Sequence, residues 1–341
     1  MPTTKIWIDI LNPSHPLIFG SIVPRLANAD VFITVRDRAE TVGLMKTFGL
    51  EGKVVGCDYR QPIKKVVNLA WRTVTLLFKS GKFEWTISFE NGSSILVAKC
   101  RGKNSILMCD NDLKFKQMTS GVQDIESKIK MLADYILIPK ACYPAFSNHV
   151  NPDKILTYDG YKEDLYVATH KPDALFLEKL PFTNYVVIRP EALGSFYVTD
   201  KISIVPDLLQ LLLDKKVNVV YLPREKEDYA YADGYDVYIP PVPLNGLDLC
   251  YYADAVLTGS GTMAREAACL GKRAVSFFPG DNLLSVDLAL IDEGRIFHSR
   301  NAKEISDFLF GTQSVSVLNN SQKTLNEVMS MINLLISGKK S

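Results

Sequence analysis

Short apolar runs alternate with segments of helical periodicity along the chain. In the first half, the apolar runs predict five strands, and the segments between them repeat apolar residues at the three- and four-residue spacing of an amphipathic helix. The predicted strands are 6–10, 31–35, 86–89, 105–108 and 135–138, and the predicted helices are 17–27, 39–48, 62–79, 93–100 and 123–132. Such alternation predicts a parallel sheet with helices on both faces.

The alternation stops near the middle of the chain and then restarts. Residues 155–181 mix charges with glycine and proline, and we interpret this stretch as the linker. Beyond it, the pattern predicts strands at 185–188, 217–222, 255–258 and 273–278 and helices at 202–213, 247–252, 262–270, 283–293, 302–310 and 321–336. We therefore predict an α/β fold of two Rossmann-like domains, 1–170 and 171–341, whose parallel sheets face an interdomain cleft. The terminal helix could cross back to the first domain.

Composition narrows the classes of function. The 341 residues carry a net charge of +1, so overall charge gives no case for nucleic-acid binding. The six cysteines form no CxxC pair, which predicts neither a zinc site nor a disulfide framework and favours a reducing cytoplasm. We find no signal-peptide pattern and no apolar run near the roughly 20 residues of a spanning helix. We expect a cytoplasmic protein, with the inner face of the membrane as a further candidate location.

The segment 258–268 joins an apolar strand to a helix through Gly259-Ser260-Gly261-Thr262. A loop of this kind places backbone N–H groups and the positive end of the helix dipole in front of a phosphate. Glu266 follows Thr262 by one helical turn and lies on the same side of the helix, where it can accept hydrogen bonds from a ribose. An ordinary exposed glutamate is the competing interpretation.

Two loops of the first half carry further candidate groups. His15 lies between the first strand and its helix, where a neutral imidazole could act as a general base; a loop or capping histidine is the alternative. The loop lacks GxGxxG, which disfavours a dinucleotide cofactor. Glu90 and Asn91 follow the third predicted strand as candidate chemical groups, and Ser93 or Ser94 can cap the next helix. The alternative is that this segment serves only for capping.

Charged residues also follow two other strands. Asp110 and Asp112 come after the fourth predicted strand and could bind a metal, hold sugar hydroxyls or belong to a solvated turn. Arg189 and Glu191 come after the first strand of the second half. Arg189 is a candidate bidentate ligand of phosphate, and a salt bridge to Glu191 or to a linker acid is the alternative.

The predicted helix 62–79 has an apolar stripe and flanking lysines. The stripe consists of Val66, Val67, Ala70, Trp71, Val74, Leu77 and Phe78. This profile fits an interfacial helix that makes peripheral membrane contact through Val66–Phe78. We favour the commoner interpretation, in which the stripe faces the sheet.

Several of these motifs resemble those of known families. The loop Asn12-Pro13-Ser14-His15-Pro16 resembles the first-loop histidine motif of GT-B glycosyltransferases of the lipid-linked N-acetylglucosaminyltransferase kind. The loop Gly259–Thr262 with Glu266 resembles the donor-nucleotide motif of those enzymes and of UDP-N-acetylglucosamine 2-epimerases. Taken whole, the chain looks like the archaeal and bacterial DUF354 family, through segments 7–15, 158–163, 189–192 and 259–267.

The resemblance implies a GT-B-like fold that binds a nucleotide-sugar. Glu266 would bind the ribose hydroxyls of a UDP-like nucleotide, and His15 would activate an acceptor. The amides of Ser260, Gly261 and Thr262 would hold the diphosphate. The other residues assigned to the nucleotide-sugar are Asn12, Ser14, Arg189, Glu191 and Gly259.

The resemblance to the epimerases is weaker in one place. Those enzymes carry a His-Arg-Arg-Glu run at the start of the second domain, where this chain reads Arg189-Pro190-Glu191, so the histidine is absent. The acids of an epimerase-like reaction could still come from the first half of the chain. The candidates are Glu90, Asp110, Asp112 and Glu126.

These implications favour an inverting, metal-independent glycosyltransferase with a UDP-sugar donor and no cofactor. The candidate catalytic residues are His15, Glu90 and Asp110. The acceptor would be a lipid-linked molecule or a glycan, and the reaction would belong to surface-glycan or glycolipid assembly. A UDP-N-acetylglucosamine 2-epimerase-like enzyme and a non-catalytic nucleotide-sugar-binding protein are the alternatives.

Overall fold

The chain divides into two units, which are described separately. The computed structural model describes residues 3–38, 40–57, 62–116, 122–194, 201–311, 316 and 320–338, with the backbone alone at 62–68, 114 and 122–124. The first unit is Met1–Tyr166 with Gln322–Ser341, and the second is Val167–Ser321. The terminal helix therefore belongs to the first unit.

The first unit is built on a parallel sheet flanked by helices. Its strands are β1 Thr4–Ile10, β2 Ala29–Asp37, β3 Lys53–Cys57, β4 Trp85–Phe89, β5 Asn104–Met108, β6 Tyr135–Pro139 and β7 Ile155–Tyr158. Its helices are α1 Ser14–Ile22, α2 Thr41–Thr47, α3 Pro62–Lys79, α4 Gly92–Cys100, α5 Leu113–Lys116, α6 Val122–Lys130, α7 Tyr143–Ser147 and α8 Lys162–Val167, which ends at the boundary between the units.

The order of the seven strands is β3-β2-β1-β4-β5-β6-β7, and their pairings are parallel. The order reverses between β1 and β4, which is where open α/β sheets bind ligands. The five predicted strands are present. The sequence pattern missed β3 because only Val55 of that strand is buried, and it missed β7 because that edge strand has four residues, of which only Ile155 and Tyr158 are buried.

The second unit repeats the design with five strands. They are β8 Val186–Arg189, β9 Val219–Tyr221, β10 Ala255–Thr258, β11 Arg273–Ser276 and β12 Ile296–His298, in the order β12-β11-β10-β8-β9, again parallel. The helices are α9 Val205–Asp214, α10 Gly246–Tyr252, α11 Gly261–Cys269, α12 Ser285–Asp292 and α13 Ala302–Phe310. A last helix, α14 Ser321–Ile336, follows. Strand β12 was not predicted because its apolar run has only two residues, Ile296 and Phe297.

Helix α3 has the predicted bounds, but most of its described apolar stripe does not face the sheet. Trp71, Val74 and Phe78 are exposed, whereas Arg72 and Leu76 are buried. The expectation of a core-facing stripe is therefore wrong for these three residues and for Ala70, which is also exposed, whereas Leu77 is partly buried against the core. Val66 and Val67 lie outside the described side chains. Among the helices of the described ranges, none has both the length and the apolar character needed to cross a bilayer.

Two strands of the second unit approach closely at Gly259, directly after β10. The amide of Gly259 donates to the carbonyl of Arg189 at 3.0 Å. A Cβ at this position would lie 2.5 Å from the Cα of Glu191, which is backbone and has no room to move away. The first glycine of the loop is therefore required by packing between strand ends, whatever the loop binds.

We predict that Gly259→Ala lowers the free energy of unfolding by about 1–3 kcal/mol, as overpacking does elsewhere. Urea unfolding followed by circular dichroism measures the change. Gly246→Ala is the control in the same unit, because a Cβ there meets no described atom within 4 Å. An unchanged midpoint for Gly259→Ala would contradict the packing argument.

Candidate functional site

The buried carboxylate of Asp9, near the end of β1, connects four elements of the first unit. Arg72 of α3 donates to it through both terminal nitrogens, at 2.8 and 2.6 Å. Thr34 of β2 and Asn91 at the start of α4 add hydrogen bonds of 2.5 and 2.8 Å. The remaining Arg72 nitrogen, Nε, donates to the carbonyl of Val55 at 2.8 Å. A buried ion pair is tolerated when its hydrogen bonds are satisfied in this way.

Asn91 also begins the next helix. Its Oδ1 accepts hydrogen bonds from the amides of Ser93 and Ser94, at 3.0 and 3.4 Å, so it is the N-cap of α4. Its Nδ2 donates to Asp9. A cap is present as the sequence suggested, but the capping residue is Asn91 rather than Ser93 or Ser94. Its hydrogen bond to Asp9 connects the cap to the end of β1.

Glu90, a predicted catalytic group, is held by its neighbours. Its backbone lies in the left-handed region, with φ of 49°, which is uncommon for a residue other than glycine. Its Oε1 accepts from the amides of Asp110 and Asn111, and its Oε2 pairs with Lys130. Burial lowers the pKa of Lys130, but Glu90, Cys109 and Glu126 together outweigh it, and the pKa of this lysine is raised. Lys130 is a charged partner that the sequence pattern did not identify.

Asp110, the second predicted carboxylate, makes a similar pair. Its Oδ2 contacts the ammonium of Lys162, which also lies 3.1 Å from Glu163 and 5.9 Å from the centre of the Phe89 ring. Lys162 and Glu163 belong to the segment 158–163 that resembles DUF354. The structure thus brings that segment and the end of β5 together.

Asp112 pairs with Lys116 at 2.8 Å, and Glu126 lies 3.1 Å from Lys130. Across the described ranges, no group of three or more histidine, cysteine, aspartate or glutamate side chains is arranged to hold a metal ion. The carboxylates at the ends of β4 and β5 are therefore arranged as pairs with lysines.

His15 lies in the first turn of α1 and is 1% exposed. Its ring packs edge-on against Phe19 and Phe89, with centroid distances of 6.4 and 5.6 Å. Burial lowers its pKa from 6.5 to about 3, so the imidazole is neutral near pH 7. The amide of Leu11 donates to Nδ1 at 3.2 Å, which places the proton of the neutral ring on Nε2. A general base needs a free lone pair, and here Nδ1 is already used.

Asn12 and Ser14 precede His15 where the chain passes from the loop after β1 into α1. Asn12 Oδ1 accepts from Arg38, and its Nδ2 lies 3.4 Å from His15 Nε2. Ser14 is the half-buried first residue of α1. Arg36 of β2 donates to the carbonyl of Leu11 at 3.4 Å. Sequence reasoning missed both arginines; the signal was their position at the end of the strand beside β1.

Four polar side chains form a row across the second sheet. Arg189, Thr258, Ser276 and His298 end four adjacent strands and are aligned with one another in register. Residues paired in this way on parallel strands project from the same face. The row therefore lies at the carboxyl end of the sheet, next to α11.

Glu191, predicted to bind the nucleotide-sugar, already has protein partners. Its carboxylate accepts from Ser203 Oγ at 2.8 Å and from the amide of Ile204 at 3.1 Å. Arg300 donates to it at 3.1 Å and also to the carbonyl of Phe277 at 3.0 Å. In this geometry Glu191 fixes the loop after β8.

The start of α11 has backbone donors with no protein acceptor. The amide of Ser260, which we expected to hold phosphate, donates instead to Thr258 Oγ1 at 2.9 Å. Within the described part of the chain, no acceptor faces the next three amides, those of Gly261, Thr262 and Met263. The orphan donors of this nine-residue helix therefore begin one residue later than the sequence suggested.

A buried cation lies beside these amides. Arg265 pairs with Asp287 at 2.6 Å and donates to Thr262 Oγ1 at 3.4 Å. A Cβ at Gly261 would lie 3.0 Å from a terminal nitrogen of Arg265. Sequence reasoning missed Arg265 and Asp287, because their pairing joins α11 to α12.

Glu266 is half-buried one turn further along α11. Burial is the main reason why the pKa of the Cys250 thiol is raised, and the charge of Glu266 raises it further. The charge of Arg189 lowers this pKa. Glu266 and Arg189 thus both lie close to Cys250. The second unit gathers the glycine loop, Arg189 and Glu266 at the carboxyl end of one sheet.

The chain belongs to the DUF354 family, a family of proteins of unknown function whose model matches residues 4–337. One relative is an uncharacterized protein of Methanocaldococcus jannaschii. It is 24% identical over 324 residues, which cover 91% of this chain and 92% of the relative.

Solved structures share the architecture of the whole chain. A putative UDP-N-acetylglucosamine 2-epimerase from Listeria monocytogenes matches with a TM-score of 0.76 and 13% identity, over 100% of this chain and 98% of its own. The Methanocaldococcus jannaschii UDP-GlcNAc 2-epimerase, solved with UDP-GlcNAc and UDP, matches at 0.69 and 12%, over 96% and 100%. The glycotransferase of kitacinnamycin matches at 0.63 and 12%, over 99% of each chain. The predicted GT-B-like fold is confirmed.

We predict that Asp9→Asn lowers the free energy of unfolding by about 3–5 kcal/mol, because Arg72 would keep a buried charge without a counterion. Thermal unfolding followed by circular dichroism tests this. The matched control is Asp173→Asn, which breaks the exposed 2.7 Å pair with Lys179 and should leave the midpoint unchanged. Equal effects of the two substitutions would show that the buried Asp9–Arg72 pair stabilises the fold no more than the exposed pair does.

His15 also predicts a dependence of stability on pH. Its pKa is about 3 in the folded chain and near 6.5 when unfolded, so the unfolded chain binds the proton first as the pH falls. The stability advantage of wild type over His15→Asn should therefore shrink from pH 6.5 towards pH 4, by about 1.4 kcal/mol per pH unit. Urea unfolding at several pH values measures it, and a constant difference would show that the folded imidazole titrates normally.

Proposed function

We propose that this chain is a glycosyltransferase whose donor is a nucleotide-diphospho-sugar, with UDP as the preferred nucleotide. One observation carries the proposal: the unpartnered amides at the start of α11 lie beside Arg265, with Glu266 one turn further on. The fold, which is related to UDP-sugar epimerases and glycosyltransferases, supports this ligand class.

The diphosphate is the part of the donor that this arrangement suits best. Three backbone N–H groups and the positive end of the α11 dipole favour an anion. Arg265 adds a cation that Asp287 keeps in place at 2.6 Å. In our proposal these groups also stabilise the charge on the departing nucleoside diphosphate, so that the transfer needs no metal ion.

Glu266 is proposed to accept hydrogen bonds from the two ribose hydroxyls. It follows Thr262 by four residues and so lies on the same side of α11, about 6 Å further along the helix at a rise of 1.5 Å per residue. Arg189, at the end of β8, is proposed as a further phosphate ligand. Glu191 in this proposal positions the loop, because Ser203, Ile204 and Arg300 already occupy its oxygens.

The chemical step is proposed as transfer with inversion. The acceptor hydroxyl attacks the anomeric carbon, the bond to the diphosphate breaks, and the nucleoside diphosphate leaves. We assign the acceptor proton to His15, which is neutral and can take it once Nδ1 is released from the Leu11 amide. Glu90 and Asp110, each paired with a lysine, are proposed to hold the surrounding loops in place.

A 2-epimerase is the second candidate, favoured by a different observation. Glu90 and Asp110 lie with Lys130 and Lys162 at the ends of β4 and β5. Carboxylate and ammonium groups of this kind can remove a proton from a sugar carbon and return it on the other face. A non-catalytic nucleotide-sugar-binding protein would use the second unit alone.

Calorimetry with UDP tests the binding half of the proposal. Glu266→Gln should weaken binding roughly tenfold, because it replaces charge-assisted hydrogen bonds, each worth about 1.5–3 kcal/mol, with neutral ones. Glu227→Gln removes an exposed acid of the same unit and should leave the affinity unchanged. If Glu266→Gln binds UDP as wild type does, Glu266 does not bind the ribose.

Turnover with a panel of UDP-sugars in heavy water tests the chemical half. A transferase releases UDP in the presence of an acceptor and leaves the hydrogen at sugar C2 in place, whereas an epimerase incorporates deuterium there. For a transferase, we expect His15→Asn to lower kcat by roughly 10²–10⁴-fold, the usual contribution of a general base. Full turnover by His15→Asn would remove His15 from the mechanism.

A further inference from the structure

One side of helix α3 is buried against the first unit, and the opposite side is exposed to solvent. Arg72 and Leu76 are buried against the sheet, and Thr73 donates to Ser93 of α4 at 2.9 Å. On the other side, Trp71 is 57% exposed, Val74 55% and Phe78 84%. Three residues at spacings of three and four share one face of a helix. A large aromatic and aliphatic face is therefore left in solvent.

The sequence of α3 and its flanks, between Asp58 and Glu84, carries charge of one sign. Residues 59–83 contain six lysines and arginines and no aspartate or glutamate. Arg72 is neutralised by Asp9, but Lys79 and Lys82, which follow Phe78 by one and four residues, are exposed. The whole chain has a net charge of only +1, so this concentration of positive charge is local.

We propose that the exposed face of α3 binds the surface of an anionic lipid bilayer. Tryptophan and phenylalanine beside lysines are the combination that suits the interface, where rings enter the boundary of the acyl chains and ammonium groups meet anionic headgroups. An acidic protein surface would form ion pairs with the lysines but would give the Phe78 ring no apolar partner. A second copy of this chain would bring like charges together.

The geometry fixes how the helix lies on the membrane. Arg72 is anchored in the sheet by Asp9, at 2.6 Å, and it cannot turn outward without leaving that buried carboxylate without its counterion. The neighbouring Trp71 is thereby held on the outer side. The helix can lie along the surface with its apolar face down and the first unit still folded above it.

Trp71 provides a direct measurement. Trp7 is fully buried and Trp85 is stacked on Tyr135, so Trp71 is the tryptophan that a bilayer can reach. With the full chain and no nucleotide, we expect a blue shift of its fluorescence on phosphatidylglycerol-containing vesicles, and quenching by brominated acyl chains. Neutral phosphatidylcholine vesicles should bind roughly tenfold less, and salt should weaken binding to the anionic ones.

Substitutions separate the two contributions. Phe78→Ser should reduce co-sedimentation with anionic vesicles roughly tenfold. The single substitutions Lys79→Gln and Lys82→Gln should each reduce it roughly fivefold. Leu175→Ser, at a residue that is 60% exposed in the second unit, should change nothing. Because all four side chains are exposed, the melting temperature should stay constant and report intact folding.

Three results would overturn the proposal. The first is no binding to anionic vesicles, and the second is equal binding to neutral ones. The third is a concentration-dependent dimer in sedimentation velocity that Phe78→Ser dissociates, with no vesicle binding, which would show that a second copy covers the face. None of these measurements involves nucleotide, so they are independent of the proposed sugar chemistry.

Discussion

The first unit depends on one buried contact, the ion pair between Asp9 and Arg72. Asp9 lies near the end of β1, and its ion pair with Arg72 fixes the position of α3. Asn91 connects the same carboxylate to the start of α4. Because this pair orients α3, it also determines that Trp71, next to Arg72 in the chain, faces away from the sheet. The loop that leads to His15, in the first turn of α1, begins two residues after Asp9. The geometry of the candidate site and the exposure of the apolar face thus have a common origin.

The two units treat charge differently at the ends of their strands. In the first, Glu90 and Asp110 each contact a lysine, so the negative charges are compensated within the protein. In the second, the start of α11 offers amides that no described acceptor faces, together with a buried arginine. An anionic ligand gains more from the second arrangement, since its charge there replaces water at orphan donors without displacing a protein partner. This difference is why we place the diphosphate at α11.

Local pattern predicted most of the fold, since the longer helices and central strands carry their own periodicity. Strands β3, β7 and β12 were missed because short edge strands bury few residues. For the site, sequence pointed to the glycine loop and Glu266, where the motif is continuous along the chain. It did not point to Lys130, Lys162 or Arg265, which become functional candidates through partners 20 or more residues away. Pairing between elements leaves no periodic signal in a single sequence.

The choice between transfer and epimerisation depends on which buried contact opens when substrate arrives. A transferase needs a lone pair on His15, and its Nδ1 is occupied by the amide of Leu11. An epimerase needs an unpaired acid, but the carboxylate of Glu90 accepts hydrogen bonds from two backbone amides and from the ammonium group of Lys130. Releasing Nδ1 sacrifices one hydrogen bond between neutral groups, whereas releasing Glu90 separates a partly buried ion pair and leaves Lys130 charged in the interior. The lower cost of the first change is the physical reason for ranking transfer above epimerisation.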